Sequence, residues 1–224
     1  MIRPAEMTFE SPIWLARGHY DVRSFGAYSY VREDALIMAT GRIGRYCSIA
    51  RRLNVGESEH PTGYFSTSPM FYTTRYWKRH QETMSFYRHQ AGTIKKAAEI
   101  FRQEGKNEGR NSIGNDAWIG EGVSIRRGCK IGHGAIIASR AAITRDVPPY
   151  AVVGGTPAHI VKYRFAPDII ARLLALNWWD YDIRNVDGLD WTNVEATLGR
   201  LKMLKAAGNL LPLTPDLITW NDVT

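Results

Sequence analysis

Isoleucine returns at every sixth place along one stretch of the chain: Ile113, Ile119, Ile125, Ile131, Ile137 and Ile143. The fifth place of each six is Ala117, Val123, Cys129, Ala135, Ala141 and Val147, and glycine holds the second place in three of the six. A helix of period 3.6 cannot keep a six-residue beat on one face, and an antiparallel strand alternates every two residues with no glycine corner. Short strands joined by tight corners can. A fixed period of this kind marks a solenoid in which three hexapeptides close one triangular coil, first-place aliphatics fill the inside, and coils stack at about 4.8 Å. The expected fold is therefore mainly β, a parallel β-helix of hexapeptide repeats.

The same beat runs earlier in the chain. Phe25, Val31, Ile37, Ile43, Ile49 and Val55 are spaced by six, with Ser29, Ala35, Gly41, Cys47 and Leu53 in the fifth places. Residues 1–24 carry Phe9, Trp14 and Tyr20 without a clear period and read as an N-terminal cap over the open end. The solenoid is expected over 25–165, with a loop insertion over 61–112 where the register fails after His60. Connections of that length are uncommon and usually functional or disordered. Its aromatics, among them Tyr64, Phe65, Phe71, Tyr72, Tyr76, Trp77, Phe86 and Tyr87, give it apolar surface to bury, which argues against disorder. Within it, residues 93–104 predict a helix with Ile94, Ala97, Ala98 and Phe101 on one face, ended by Gly105 to Gly109. Pro148 and Pro149 stop the repeat, residues 151–158 read as a strand and tight loop, and Pro167-Asp168 opens an amphipathic helix. A second helix near 192–205 completes a C-terminal helical cap over 166–224.

Composition narrows the class. At 224 residues, 44% hydrophobic and 23% charged, the chain is an ordinary globular protein with one substantial core. It has no run of 18 apolar residues, and Met1 to Glu6 lack the apolar centre of a signal peptide, so a cytoplasmic protein without membrane insertion is expected. Two cysteines are too few for a disulfide framework, and both occupy small inward places. The net charge of +7 suits nucleic acid or a polyanionic cofactor. The run Arg75 to His80 interleaves basic and aromatic side chains as a single-strand binder would, but a lid over an acceptor explains the same residues, and no nucleic acid is expected.

Ile113 to Gly120, Ile131 to Ile137, Thr144 to Ala158, Lys162 to Phe165 and Asn177-Trp178-Trp179-Asp180 together resemble the hexapeptide-repeat acyltransferases. Within these they look like the xenobiotic acetyltransferase branch, which holds chloramphenicol and streptogramin acetyltransferases and related sugar O-acetyltransferases. The resemblance covers roughly residues 25–185. It implies left-handed coiling, where parallel crossovers are otherwise right-handed, a homotrimer, and acetyl-CoA as co-substrate.

Acetyl-CoA is already an activated thioester. The enzyme then needs a base for the acceptor hydroxyl and donors for the oxyanion, and histidine suits the first task. His60 ends the last hexapeptide before the insertion, and His60-Pro61-Thr62-Gly63-Tyr64-Phe65-Ser66-Thr67-Ser68-Pro69 resembles the family's catalytic histidine with its aromatic-Ser-Thr-x-Pro segment. The preceding Gly56-Glu57-Ser58-Glu59 departs from the Asn-Gly-Ala-Asn of the antibiotic enzymes, so Glu59 or a backbone carbonyl could orient the imidazole. Arg126, Arg127, Arg140, Arg145, Lys162 and Arg164 are candidates for the cofactor phosphates. The resemblance implies that backbone groups around Gly120, Ser139 and Ala141 hold the pantetheine arm and that Trp118 packs near its thiol end. Tyr28, Tyr30, Glu59 and Tyr64 are the candidates for acceptor binding. A metal is not expected, because no histidine spacing converges three rings from adjacent coils. The expected activity is O-acetylation of a carbohydrate hydroxyl by direct transfer, with antibiotic O-acetylation as the alternative and a non-catalytic trimeric scaffold behind both.

Overall fold

The computed structural model describes residues 7–81 and 83–220. Met1 to Glu6, on which the reading of the N-terminus rests, lie outside them, as do the side chains of Lys78 and Arg79. The chain divides into two compact units, residues 1–56 with 110–224, and residues 57–109.

The first unit is built from short parallel strands. β4 (Tyr30–Val31), β6 (Ser48–Ile49), β9 (Trp118–Ile119), β12 (Ile136–Ile137) and β14 (Ala151–Gly155) follow one another through a single sheet. Register places Val31, Ile49, Ile119, Ile137 and Val153 in one inward ladder. A second ladder runs Ile37, Val55, Ile125, Ile143 through β5 (Ala35–Ile43), β7 (Asn54–Val55), β10 (Ser124–Ile125) and β13 (Ala142–Ile143). A third runs Phe9, Phe25, Ile43, Ile113, Ile131 through β1 (Thr8–Glu10), β3 (Gly18–Phe25), β5, β8 (Asn111–Ile113) and β11 (Lys130–Ile131). All of these residues are buried in one core, with the fifth-place residues Cys47, Leu53, Ala117, Val123, Cys129, Ala135 and Ala141 packed between them. Both cysteines are free thiols, and burial pushes Cys47 up to about 12, which keeps it an inert core residue.

Corners explain why the six-residue beat is possible. Tyr28, Tyr46, Asp116, Gly134 and Tyr150 all take positive φ and stack over one another, as do Asp34, Arg52, Gly122 and Arg140 at a second corner. Each such residue turns the chain by entering the left-handed region. Gly134 is required as glycine, since a Cβ there would run into the Tyr150 ring. The amide of each corner residue bonds the coil before it: Asp116 N–H donates to Arg45 O, Gly134 N–H to Asn115 O and Tyr150 N–H to His133 O, all at 2.8 Å.

Within residues 1–24, β1, β2 (Trp14–Leu15) and β3 pair parallel with later strands and put Phe9 and Val22 in the main core. No beat of six shows there because Phe9 pairs with Phe25 and Leu15 with Val31, sixteen positions apart, where Val31 and Ile49 are eighteen apart. β16 (Leu217–Thr219) then runs antiparallel against β1. In the middle of the chain Ile43 pairs with Ile113, seventy positions on, so fifty-two residues are looped out of an otherwise regular coil. At the far end the expected strand and loop continue into a hairpin, β14 with β15 (Ala158–Tyr163). α4 (Pro167–Leu176) and α5 (Val194–Ala206) then pack Ile169, Leu173, Leu176, Leu198 and Leu201 around Tyr150 as a second cluster.

Among its described residues the second unit carries the α-helices α1 (Lys78–Gln81), α2 (Ser85–His89) and α3 (Ala91–Asn107). α3 buries Ile94, as its apolar face predicts, but it runs through Gly105 and ends only at Asn107, with Glu108 as its cap and Gly109 in the left-handed conformation. An interior glycine costs a helix about 1 kcal/mol, which seventeen residues tolerate.

Candidate active site

Position 60 carries the candidate base. His60 is exposed, and its Nδ1 lies 2.7 Å from the carbonyl oxygen of Thr67 and 2.9 Å from the hydroxyl of Tyr72. A carbonyl can only accept, so Nδ1 carries the proton and the lone pair sits on Nε2. The ring is thus in the tautomer that can receive a proton from a hydroxyl. The orienting group is a backbone carbonyl, one of the two possibilities the sequence left open. It comes from the Ser-Thr-x-Pro segment, where Ser68 caps the 3-10 turn Pro69–Phe71 by accepting from Met70 N–H. Tyr72 is nearly fully buried, its ring edge-on to His60 and Tyr64 and 4.7 Å from Phe101 on α3. Tyr64 donates its hydroxyl to Ala97 O on the same helix at 3.1 Å, and Glu59 is exposed beside His60.

The other expected site residues lie on the coils. Gly120 and Ser139 meet corner to corner: a Cβ on Gly120 would stand 2.5 Å from Ser139 N. Glycine is needed for that close approach, and Ser139 remains exposed beside it. Ala141 follows, but both its backbone groups are engaged within the coils, its N–H to Ala138 O and its carbonyl by Ser124 N–H. Arg140, Arg145 and Lys162 are exposed, on a corner, a loop and β15 respectively. Trp118 points outward from β9 at 56% exposure, in an outward row with Trp14, Tyr30, Ser48 and Ile136.

Two groups of candidates are engaged elsewhere in the fold. Arg164, expected on a cofactor phosphate, instead donates from Nη1 to Asp116 Oδ2 and to Gly134 O, both at 2.8 Å, with its guanidinium over the Tyr150 and Phe165 rings. Burial pushes the Asp116 carboxyl up, and the Arg164 charge opposes that push. Tyr28 and Tyr30, expected together, part company because Tyr28 turns a corner at φ 62. Tyr28 stacks on Tyr46 at 5.1 Å under the Arg184 guanidinium, while Tyr30 faces outward beside Trp14.

Three features were not among the expected site residues. Tyr72 is one aromatic among many in the insertion. His133 stacks on Trp179 at 4.4 Å and accepts from Asn115 N–H through Nδ1, and burial, aided by Arg42 and opposed by Asp180, holds its pKa below the ordinary value. A cavity of about 380 Å³ lies between the coil corners and the C-terminal helices, walled by Tyr46, Asp116, Tyr150, Trp178, Trp191 and apolar side chains. Among the described residues no three His, Cys, Asp or Glu side chains gather as a metal ligand set, and no helix is long and apolar enough to cross a membrane.

Residues 112–145 match the bacterial transferase hexapeptide family, six repeats. The chain is 37% identical over 147 residues to a chloramphenicol acetyltransferase of Klebsiella aerogenes, covering 64% of this chain and 61% of the relative. It is 34% identical over 173 residues to one of Morganella morganii, covering 75% and 73%. Among solved structures it is similar to a galactoside acetyltransferase in complex with coenzyme A, at 20% identity and TM-score 0.42 over 71% of this chain and 62% of that one. On the match to the Morganella relative and the six hexapeptides, the chain belongs to the hexapeptide-repeat acetyltransferases, in the xenobiotic acetyltransferase branch.

Proposed function

We propose that the chain is an acetyl-CoA-dependent O-acetyltransferase in which His60 is the general base and the acceptor is a hydroxyl of a carbohydrate. The observation that carries this reading is the Thr67 carbonyl on Nδ1, which leaves Nε2 of an exposed imidazole as an acceptor. Nε2 takes the proton as the acceptor oxygen attacks the thioester carbonyl, and the tetrahedral intermediate expels the coenzyme A thiolate. The thiolate then recovers the proton from the imidazolium, so no acyl-enzyme is formed and no group on the protein is consumed. The exposed basic residues Arg140, Arg145 and Lys162 suit the phosphates of acetyl-CoA, with Gly120 and Ser139 offering a close backbone approach to its arm. Arg126 and Arg127 add positive charge on the same coils. The outward apolar row through Trp14, Tyr30 and Trp118 suits assembly into a homotrimer, and the need for acetyl-CoA suits the cytoplasm.

The acceptor reading leans on Glu57 and Glu59, carboxylates next to His60 where the antibiotic enzymes carry neutral residues, because carboxylates accept from the hydroxyls of a sugar. A second reading, antibiotic O-acetylation, is favoured by the names of the curated relatives. Thiol release from acetyl-CoA, measured across a panel of sugars, nucleotide sugars and chloramphenicol, separates them. Turnover of a sugar with none of chloramphenicol supports the first, and the reverse supports the second. No turnover of any acceptor favours the scaffold.

A further inference from the structure

We infer that Tyr72 is a positioning residue for His60, and that α3 exists in the insertion to hold it. This rests on the reading of His60 as the base. Nδ1 of His60 faces two oxygens, Thr67 O at 2.7 Å and Tyr72 Oη at 2.9 Å. One carbonyl contact fixes the tautomer but leaves the imidazole free to swing about the Nδ1 to oxygen line. A second oxygen on the same proton, from a ring that packs edge-on at 6.4 Å, removes that freedom and sets where Nε2 points. The Nδ1–H is then shared between two acceptors. When the ring takes a proton at Nε2 and becomes cationic, that N–H becomes a stronger donor, and both oxygens bear part of the charge.

Tyr72 can do this only if it does not move, and its surroundings show why it does not. It is 4% exposed, packed 4.7 Å from Phe101 and edge-on to Tyr64 at 6.0 Å. Phe101 sits on α3, and Tyr64 is tied to that helix through Ala97 O. Helix, Phe101, Tyr72 and His60 thus form one line of contact within residues 57–109. A loop that only covered an acceptor would not need seventeen helical residues behind a single tyrosine. The rule is that a functional side chain is held by neighbours whose own rotamers are locked.

Tyr72→Phe keeps the packed ring and deletes the oxygen. It is expected to lower kcat about tenfold, the worth of one hydrogen bond, with the KM for acetyl-CoA and the thermal midpoint little changed. In protein labelled with [15N]histidine, the Nδ1 proton of His60, identified by its loss in His60→Ala, is expected to exchange slowly with water in the wild type and faster in Tyr72→Phe. A kcat within twofold of wild type overturns the inference. So does a fall in kcat matched by an equal loss of acetyl-CoA binding or thermal midpoint, which would make Tyr72 a packing residue. An unprotected Nδ1 proton in the wild type overturns it without any variant. If His60→Ala retains turnover, the base assignment fails on its own; if His60→Ala is dead while Tyr72→Phe is fully active, only the present inference fails.

Discussion

Ile119→Ala tests the stacked core most sharply. Ile119 is fully buried, lies between Ile49 and Ile137 in one inward ladder, and occupies a middle coil. The substitution removes three carbons, about 2.4 kcal/mol of transfer free energy at ~0.8 kcal/mol per buried CH₂. A cavity term is added in proportion to how poorly the site collapses. Collapse is hindered here because the backbone on both sides is pinned: Gly120 N–H donates to Ile137 O at 2.8 Å, and Ala50 N–H to Ile119 O at 2.9 Å. The total is expected at about 4 kcal/mol, in the upper part of the range for such deletions. Ser48→Ala, on the paired strand but facing outward, is expected within about 0.5 kcal/mol of wild type. Urea unfolding followed by circular dichroism at one protein concentration reads both through the midpoint, with the slope unchanged. Equal effects from the inward and outward substitutions would refute the ladder.

Burial holds the His133 pKa in the fold below the value it has when unfolded. The unfolded chain therefore binds the extra proton first, so stability is full above about pH 6.5 and falls as pH drops through that value. Denaturation at pH 7.5 and 5.5 should show a smaller difference in His133→Phe, and an unchanged difference would contradict the assignment. Arg164→Met should destabilise the fold by about 2 kcal/mol, because it strands the largely buried Asp116 carboxylate. Asp116→Asn added to it should recover part of that loss, while acetyl-CoA affinity stays near wild type in both. Arg145→Ala, by contrast, should weaken acetyl-CoA binding several-fold without changing stability, and calorimetry separates the two arginines.

Residue spacing carried most of the solenoid, for a physical reason. An inward ladder repeats only what the coil demands, so Ile43, Ile49, Ile113, Ile119 and Ile137 had to recur at one phase to be buried at all. The first turns escaped notice because their pairs are two residues closer, which breaks the count without breaking the stack. Local pattern also could not foresee which charges would meet. Arg164 stands in the sequence as a candidate phosphate ligand, and only the fold brings the Asp116 carboxylate, forty-eight residues earlier, beside it. Tyr28 and Tyr30, two apart, would share a face on a straight strand, and only the corner at Tyr28 separates them. The motif around His60 pointed to it as the candidate base, whereas the ring's orientation required the chain to fold back so that Thr67 and Tyr72 reached one nitrogen.

The turnover of His60→Ala bears most directly on the whole account. With wild type and variant saturated in acetyl-CoA and the acceptor found by the thiol-release panel, loss of a general base is expected to lower kcat at least ~100-fold while acetyl-CoA binding is retained. Turnover of the variant within a few-fold of wild type would contradict it.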